Sequence, residues 1–139
     1  MMSDKQALID GLNDDLQREL GVVILYLYQS SVATGIIGHE LREMLKQEMA
    51  GELNHAAFLA DKIVVLGGKP NVTVPPLVKH KTALQMARYD LALEREAVKA
   101  YTERVAQAEK TGELGLKVHL ENMIVEETDH AEELERLIR

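Results

Sequence analysis

Cysteine is missing from this chain of 139 residues. That excludes a disulfide framework, a thiolate zinc site, an iron–sulfur cluster and a cysteine nucleophile. It also makes the cytoplasm the default location. No run of about eighteen apolar residues occurs, so no transmembrane span is expected. The opening residues Met1-Met2-Ser3-Asp4-Lys5-Gln6 turn polar at once and do not read as a signal peptide. Basic clusters are lacking too, and the formal net charge is −7. Binding a phosphate backbone needs a basic patch, so nucleic acid is not an expected partner. Only three prolines occur (Pro70, Pro75, Pro76), all in one short stretch.

What is present is enough apolar material, 46% of residues, for one core, and 28% charged residues for a soluble surface. The length fits one domain over residues 1–139. Four segments carry apolar residues spaced by three and four, the helical period. The first opens at Ser3 with Gln6 three residues on, a capping-box pattern, and runs toward Gly35. Its inner stripe reads Leu12, Leu16, Glu19, Val23, Tyr26, Ser30 and Ala33. The second runs from about Gly38 to Gly67-Gly68, with Leu41, Leu45, Glu48, Glu52, His55, Leu59 and Leu66 inward. The third starts near Thr82 and carries Leu84, Ala87, Leu91, Glu94, Val98, Tyr101, Val105 and Ala108. The fourth gives Leu116, Leu120, Met123, Glu127, His130, Leu134 and Leu137. Nothing reads as a strand. The loop from Gly68 to Lys81 could reach about 45 Å when extended. A helix of about thirty residues is roughly as long. The loop can therefore cross the whole bundle and leave helices two and three parallel, while the two short joints force antiparallel neighbours. The expected fold is all-α, a four-helix bundle with one long crossover between helices two and three.

The informative residues interrupt the apolar stripes. Glu19, Glu52, His55, Glu94, Glu127 and His130 all fall on inward faces. Six ionisable groups in one small core need partners. Their spacing repeats. The interval from Glu19 to Glu52 equals that from Glu94 to Glu127, and each second Glu opens a Glu-x-x-His. The two halves share one offset: the steps from Glu19 to Glu94, from Glu52 to Glu127 and from His55 to His130 are all equal. Residues three apart on a helix share a face, so each Glu-x-x-His offers a carboxylate and an imidazole to one point. Four carboxylates and two neutral imidazoles suit two divalent cations, with four negative charges balancing them. The constellation is an established one for two-metal sites in helix bundles.

These residues resemble the bacterioferritins of the ferritin-like di-iron carboxylate superfamily, over nearly the whole chain. Local similarities are Leu12-Asn13, Asp90-Leu91-Ala92-Leu93-Glu94 and Glu126-Glu127-Thr128-Asp129-His130. The resemblance implies that Glu19 and His55 serve one metal, that Glu94 and His130 serve the other, and that Glu52 and Glu127 bridge. It implies a redox-active role for Tyr26, with Glu48 placed to hydrogen-bond it. Three departures stand out. The haem-ligating Met of the family is replaced by Leu53, so haem is not expected, and Met49 reads as packing. The chain stops nine residues past His130, so no fifth helix is expected and the family's 24-subunit cage is in doubt. The family's inner-surface His and Asp positions hold Gln47 and Gly51. Rubrerythrins carry an extra Glu where this chain has Ala97. Dps-related shell proteins with a site inside the bundle also resemble it.

The function expected from the resemblance is a ferroxidase. It would bind two Fe ions per chain and oxidise Fe²⁺ to Fe³⁺ with O₂ or peroxide, in iron detoxification. Two alternatives are a di-iron or di-manganese peroxide-consuming enzyme and a non-catalytic iron-sequestering shell subunit. A purely structural bundle is a further rival. His39, His80 and His119 read as surface residues. Tyr28, Phe58 and Met44 are expected to face a partner copy in a homo-oligomer.

Overall fold

The computed structural model describes residues 2–139. Among the described residues all regular structure is helical: α1 Asp4–Val32, α2 Gly35–Val65, α3 Ala83–Lys110 and α4 Leu114–Ile138. The helix boundaries follow from local chemistry. Ser3 Oγ accepts the Gln6 N–H at 3.1 Å and starts α1. The Gln6 side chain turns instead to Asp10, 2.9 Å away, so the expected capping box is only half made. At α3 the box is complete, because Thr82 and Gln85 each accept the other's backbone N–H at 3.2 Å. Gly67 (φ +93°) and Gly112 (φ +77°) stop α2 and α3 in the left-handed conformation that suits glycine. The N–H groups just beyond them fold back onto Ile63 O and Ala108 O, at 2.8 and 2.9 Å. α2 begins at Gly35 rather than about Gly38. Gly35 itself takes φ +83° and turns the chain just past the end of α1.

The crossover lies along α1. The Asn13 side chain holds Lys69 O at 3.1 Å and the Asn71 N–H at 2.7 Å. Further on, Lys79 Nζ sits 4.8 Å from the Tyr28 ring centre. The chain thus retraces α1 from its start toward its end. α2 and α3 run in the same direction, as expected from the loop length. The core falls into two apolar halves. One joins Leu8, Leu12 and Leu16 to Leu59, Ile63, Tyr101, Leu116 and Leu120. The other joins Val22, Leu25 and Tyr26 to Leu41, Leu45, Met86, Ala87, Leu93 and Leu134. Each buried leucine contributes on the order of 1.5–3 kcal/mol. Two such halves can clamp a polar layer that would not fold alone.

The inward face differs from expectation in places. Val22 is buried and Val23 only half-buried. On α3, Leu84, Leu91, Val98 and Val105 lie at the rim, while Ala83, Met86, Leu93 and Ala97 are buried. The buried row of α3 thus mixes alanines, which let neighbouring helices approach, with Met86, Leu93 and Tyr101. Phe58 is half-buried and stacks on His119, with ring centres 3.5 Å apart, so it finds cover within its own chain. Met44 is also half-buried. Ile24, Leu27 and Tyr28 do face outward, at 52%, 53% and 36% exposure. His39 and His119 are exposed, but His80 is half-buried with its ring edge against Tyr89.

Candidate metal centre

Between the two apolar halves lies a layer of acids and imidazoles. Glu19, Glu52, His55, Glu94 and Glu127 are buried and His130 is half-buried. They form two overlapping sets, Glu19–Glu52–His55–Glu127 and Glu52–Glu94–Glu127–His130. In each set the ligand atoms lie within 4.8 Å of one another. All six residues singled out from spacing therefore come together. Glu52 and Glu127 belong to both sets.

Each of the six turns a buried atom with no hydrogen-bond partner toward its set. The atoms are Glu19 Oε2, Glu52 Oε1, His55 Nδ1, Glu94 Oε2, Glu127 Oε1 and His130 Nδ1. His55 Nδ1 is 3.0 Å from Glu127 and His130 Nδ1 is 3.1 Å from Glu52, yet neither pair is aligned as a hydrogen bond. Buried polar atoms are rarely left unpaired, so six converging ones call for a missing partner. Oxygens and imidazole nitrogens in this number fit two divalent cations.

The electrostatics agree. Burial, then the neighbouring Glu19 carboxylate, pushes Glu52 well up. Burial and Glu127 push Glu94 up as well. Burial would also raise Glu127, but the close approach of Glu94, His55 and Glu52 holds it down. Burial alone would lower His55, yet Glu127 and Glu19 raise it to about 10. Without a cation the cluster must hold protons in its place. His130 is lowered by burial toward the neutral form that ligates metals.

A second layer buttresses the first. Tyr26 donates to Glu94 Oε1 at 2.5 Å, not to Glu48 as expected from the resemblance. Tyr101 donates to Glu19 Oε1. From sequence Tyr101 reads only as a core residue, although its offset from Tyr26 is the same one that relates the two ligand sets. The offset extends further: Asp15 pairs with Asp90, and Gln29 with Arg104. Arg104 grips Asp15 with two hydrogen bonds, at 2.8 and 3.0 Å. Among the described residues no cation pairs with Asp90 in this way. Burial pushes it up to about 8, with the Gln29 amide opposing.

The symmetry also breaks at the outer edge of the imidazoles. Glu126 meets His55 Nε2. The position equivalent to Glu126 is Gly51, so no side chain caps His130 from there. A cavity of about 640 Å³ lies at that point, lined by Gly51, His130, Glu40, Glu43, Glu48 and Glu133 among others. Glu48 is buried there and is raised to about 8, by burial first and then by Glu127. Gln47 also lines this cavity.

The model of the ferritin-like domain family matches residues 9–139. A bacterioferritin from Brucella melitensis is 28% identical over 135 residues, covering 96% of this chain and 84% of its own. The crystal structure of a ferritin-like, diiron-carboxylate protein from Bacillus anthracis superposes with a TM-score of 0.96 at 36% identity, covering all of both chains. A Dps protein from Bacillus brevis shares the fold, with a TM-score of 0.92 at 15% identity over 100% of this chain and 99% of that one. A four-helix bundle with a duplicated carboxylate–imidazole layer, matched over nearly its full length, thus belongs to the ferritin-like family and is similar to its bacterioferritins.

Proposed function

We propose that the chain is a ferroxidase that takes two Fe²⁺ ions as substrate and detoxifies them by oxidation to Fe³⁺ with O₂ or peroxide. The observation that carries this reading is the set of six buried, unpartnered ligand atoms in two overlapping groups. Membership of the ferritin-like family supports it, as does likeness to a structure described as a diiron-carboxylate protein. Glu19 and His55 hold one ion, Glu94 and His130 the other, and Glu52 and Glu127 bridge. Two adjacent ions supply two electrons to one oxidant. The carboxylates balance the charge and keep enough freedom to change their mode of binding. Tyr26 is a reserve of one further electron, its proton held by Glu94. The acidic cavity beside His130 attracts cations toward the layer. Haem has no part in this reading. The outward Ile24, Leu27 and Tyr28 support assembly with further copies of the chain, which particle size in solution would test.

The test is an anaerobic titration of metal-free protein with Fe²⁺, followed by O₂ with absorbance monitored. Saturation at two ions per chain and rapid oxidation are expected. Glu52→Ala and Glu127→Ala should each slow that oxidation by on the order of 100-fold or more. An unaltered rate in both variants would remove the assignment. Manganese-loaded protein that evolves O₂ from peroxide, with no fast iron oxidation, would favour the peroxide-consuming reading.

A further inference from the structure

Tyr101 is completely buried, and its hydroxyl donates to Glu19, a residue of the first ligand set. A phenylalanine would fill the same apolar space. The hydroxyl therefore adds a function beyond packing, because a buried donor must be satisfied and Glu19 is its acceptor. Glu19 Oε2 stays free for a cation while Oε1 takes the hydroxyl. The arrangement is the counterpart of Tyr26 on Glu94. The surroundings of the two rings differ. Arg18 lies over the Tyr101 ring, 5.3 Å from its centre, and bonds Asp15 at 2.8 Å. Asp15 is in turn clamped by Arg104. At the positions equivalent to Arg18 and Arg104, the Tyr26 side has Leu93 and Gln29.

We propose that Tyr101 is a second electron donor of the site, serving the ion held by Glu19 and His55. The inference rests on the ferroxidase reading. Losing an electron alone would leave a positively charged ring beneath the Arg18 cation, which repels it. Electron and proton therefore leave together, and the proton passes by way of Glu19 to the oxygen being reduced, leaving Glu19 a carboxylate again. The pair of tyrosines balances a full reduction of dioxygen. One O₂ needs four electrons and four protons to become two waters. Two Fe²⁺ give two electrons, becoming Fe³⁺. Tyr26 and Tyr101 give one electron and one proton each, becoming neutral phenoxyl radicals, and the solvent supplies the other two protons. No peroxide leaves the site in a single turnover.

The experiment loads the full chain anaerobically with two Fe²⁺ and mixes it with O₂. Samples are freeze-quenched for electron paramagnetic resonance, iron oxidation is followed by absorbance, and released peroxide is measured. The decisive variants are Tyr26→Phe, Tyr101→Phe and the double variant. Tyr26→Phe should keep a tyrosyl radical at about half the wild-type yield, and Tyr26→Phe/Tyr101→Phe should have none. In the double variant peroxide should appear at about one per two irons oxidised, because only the irons then supply electrons. A structural tyrosine would move neither readout. Adding Arg18→Met to Tyr26→Phe should shift the remaining radical's g-values, because a cation over the ring is lost. That variant leaves Tyr101 in place and does not depend on the double variant folding. Loss of all radical in Tyr26→Phe overturns the proposal. So does a radical that survives in the double variant, which would lie on Tyr28 or Tyr89. Wild-type protein that oxidises iron with no tyrosyl radical overturns this inference alone. Wild-type protein that oxidises no iron overturns the ferroxidase reading with it.

Discussion

Asp15 and Arg104 form a buried charged pair beside the carboxylate–imidazole layer. Both are buried, and the guanidinium makes two hydrogen bonds to the carboxylate. A buried pair gives weak net stability when intact. Removing one member of a fully isolated buried pair costs about 3–5 kcal/mol, but Asp15 without Arg104 keeps its 2.8 Å bond from Arg18. Arg104→Met removes two charged hydrogen bonds and should lower the stability of metal-free protein by about 1.5–3 kcal/mol, read from the urea midpoint. A change under about 1 kcal/mol would mean that the existing Arg18 bond alone satisfies Asp15. At this scale the convergence of the six acid and imidazole residues was legible, because spacing on a helix decides their face. Tyr101 was legible in principle, since it stands at the ligands' common offset from Tyr26, but aromatic residues on an inner stripe usually read as packing. The Asp15–Arg104 pair was not legible, since its members lie far apart in the chain and on different helices.

Among the elements, the clearest contrast is between the starts of α1 and α3. Ser3 caps with one side of its box, Thr82 with both. Thr82→Ala removes the acceptor for the Gln85 N–H at the point where the crossover meets α3. The expected loss is about 1 kcal/mol, seen as a lowered urea midpoint with unchanged iron stoichiometry. A stability equal to that of the parent chain would show that the Gln85 side chain alone holds this turn. Helix count and polarity were readable from period and caps. The buried row of α3 was not, because size argued for Leu91 and Val98. Ala87 and Ala108 were on the expected stripe and are buried, but the burial of Met86, Leu93 and Ala97 in place of Leu91 and Val98 was decided only by the assembled bundle.

For the whole molecule, the polar layer makes stability depend on pH and on metal in opposite ways. Burial raises Glu48 and Asp90 to about 8, and His55 is raised to about 10 against the burial effect by Glu127 and Glu19. The folded chain holds these protons more tightly than the unfolded one. Their contribution is full below the unfolded values of 4.5, 3.8 and 6.5. It is lost as pH rises through about 8 for the two acids and about 10 for the imidazole. Glu127, held low, works the other way, and its contribution disappears only in strong acid. Metal-free protein should therefore melt lower at pH 8 than at pH 5, by roughly 5 °C or more. Saturating Zn²⁺, which O₂ does not oxidise, replaces the protons. It should raise the melting temperature more at pH 8 than at pH 5. Calorimetry with chelator and with Zn²⁺ measures both. Melting that rises from pH 5 to pH 8 without metal would mean that water, and not protons, compensates the layer.

The sequence by itself determined four helices, a crossover long enough to make α2 and α3 parallel, and six acid and imidazole residues on inner faces that could hold metal. Each of these follows from local periodicity, capping chemistry or reach, which act over a few residues or along one connection. Tertiary structure alone decided that Tyr26 meets Glu94 and Tyr101 meets Glu19, from distant parts of the chain. It also decided that Glu126 covers His55 while Gly51 leaves an acidic cavity beside His130. Those facts depend on how far one helix is rotated and slid against another. Rotation and sliding are fixed by the packing of both apolar halves together, which no single stretch of sequence encodes.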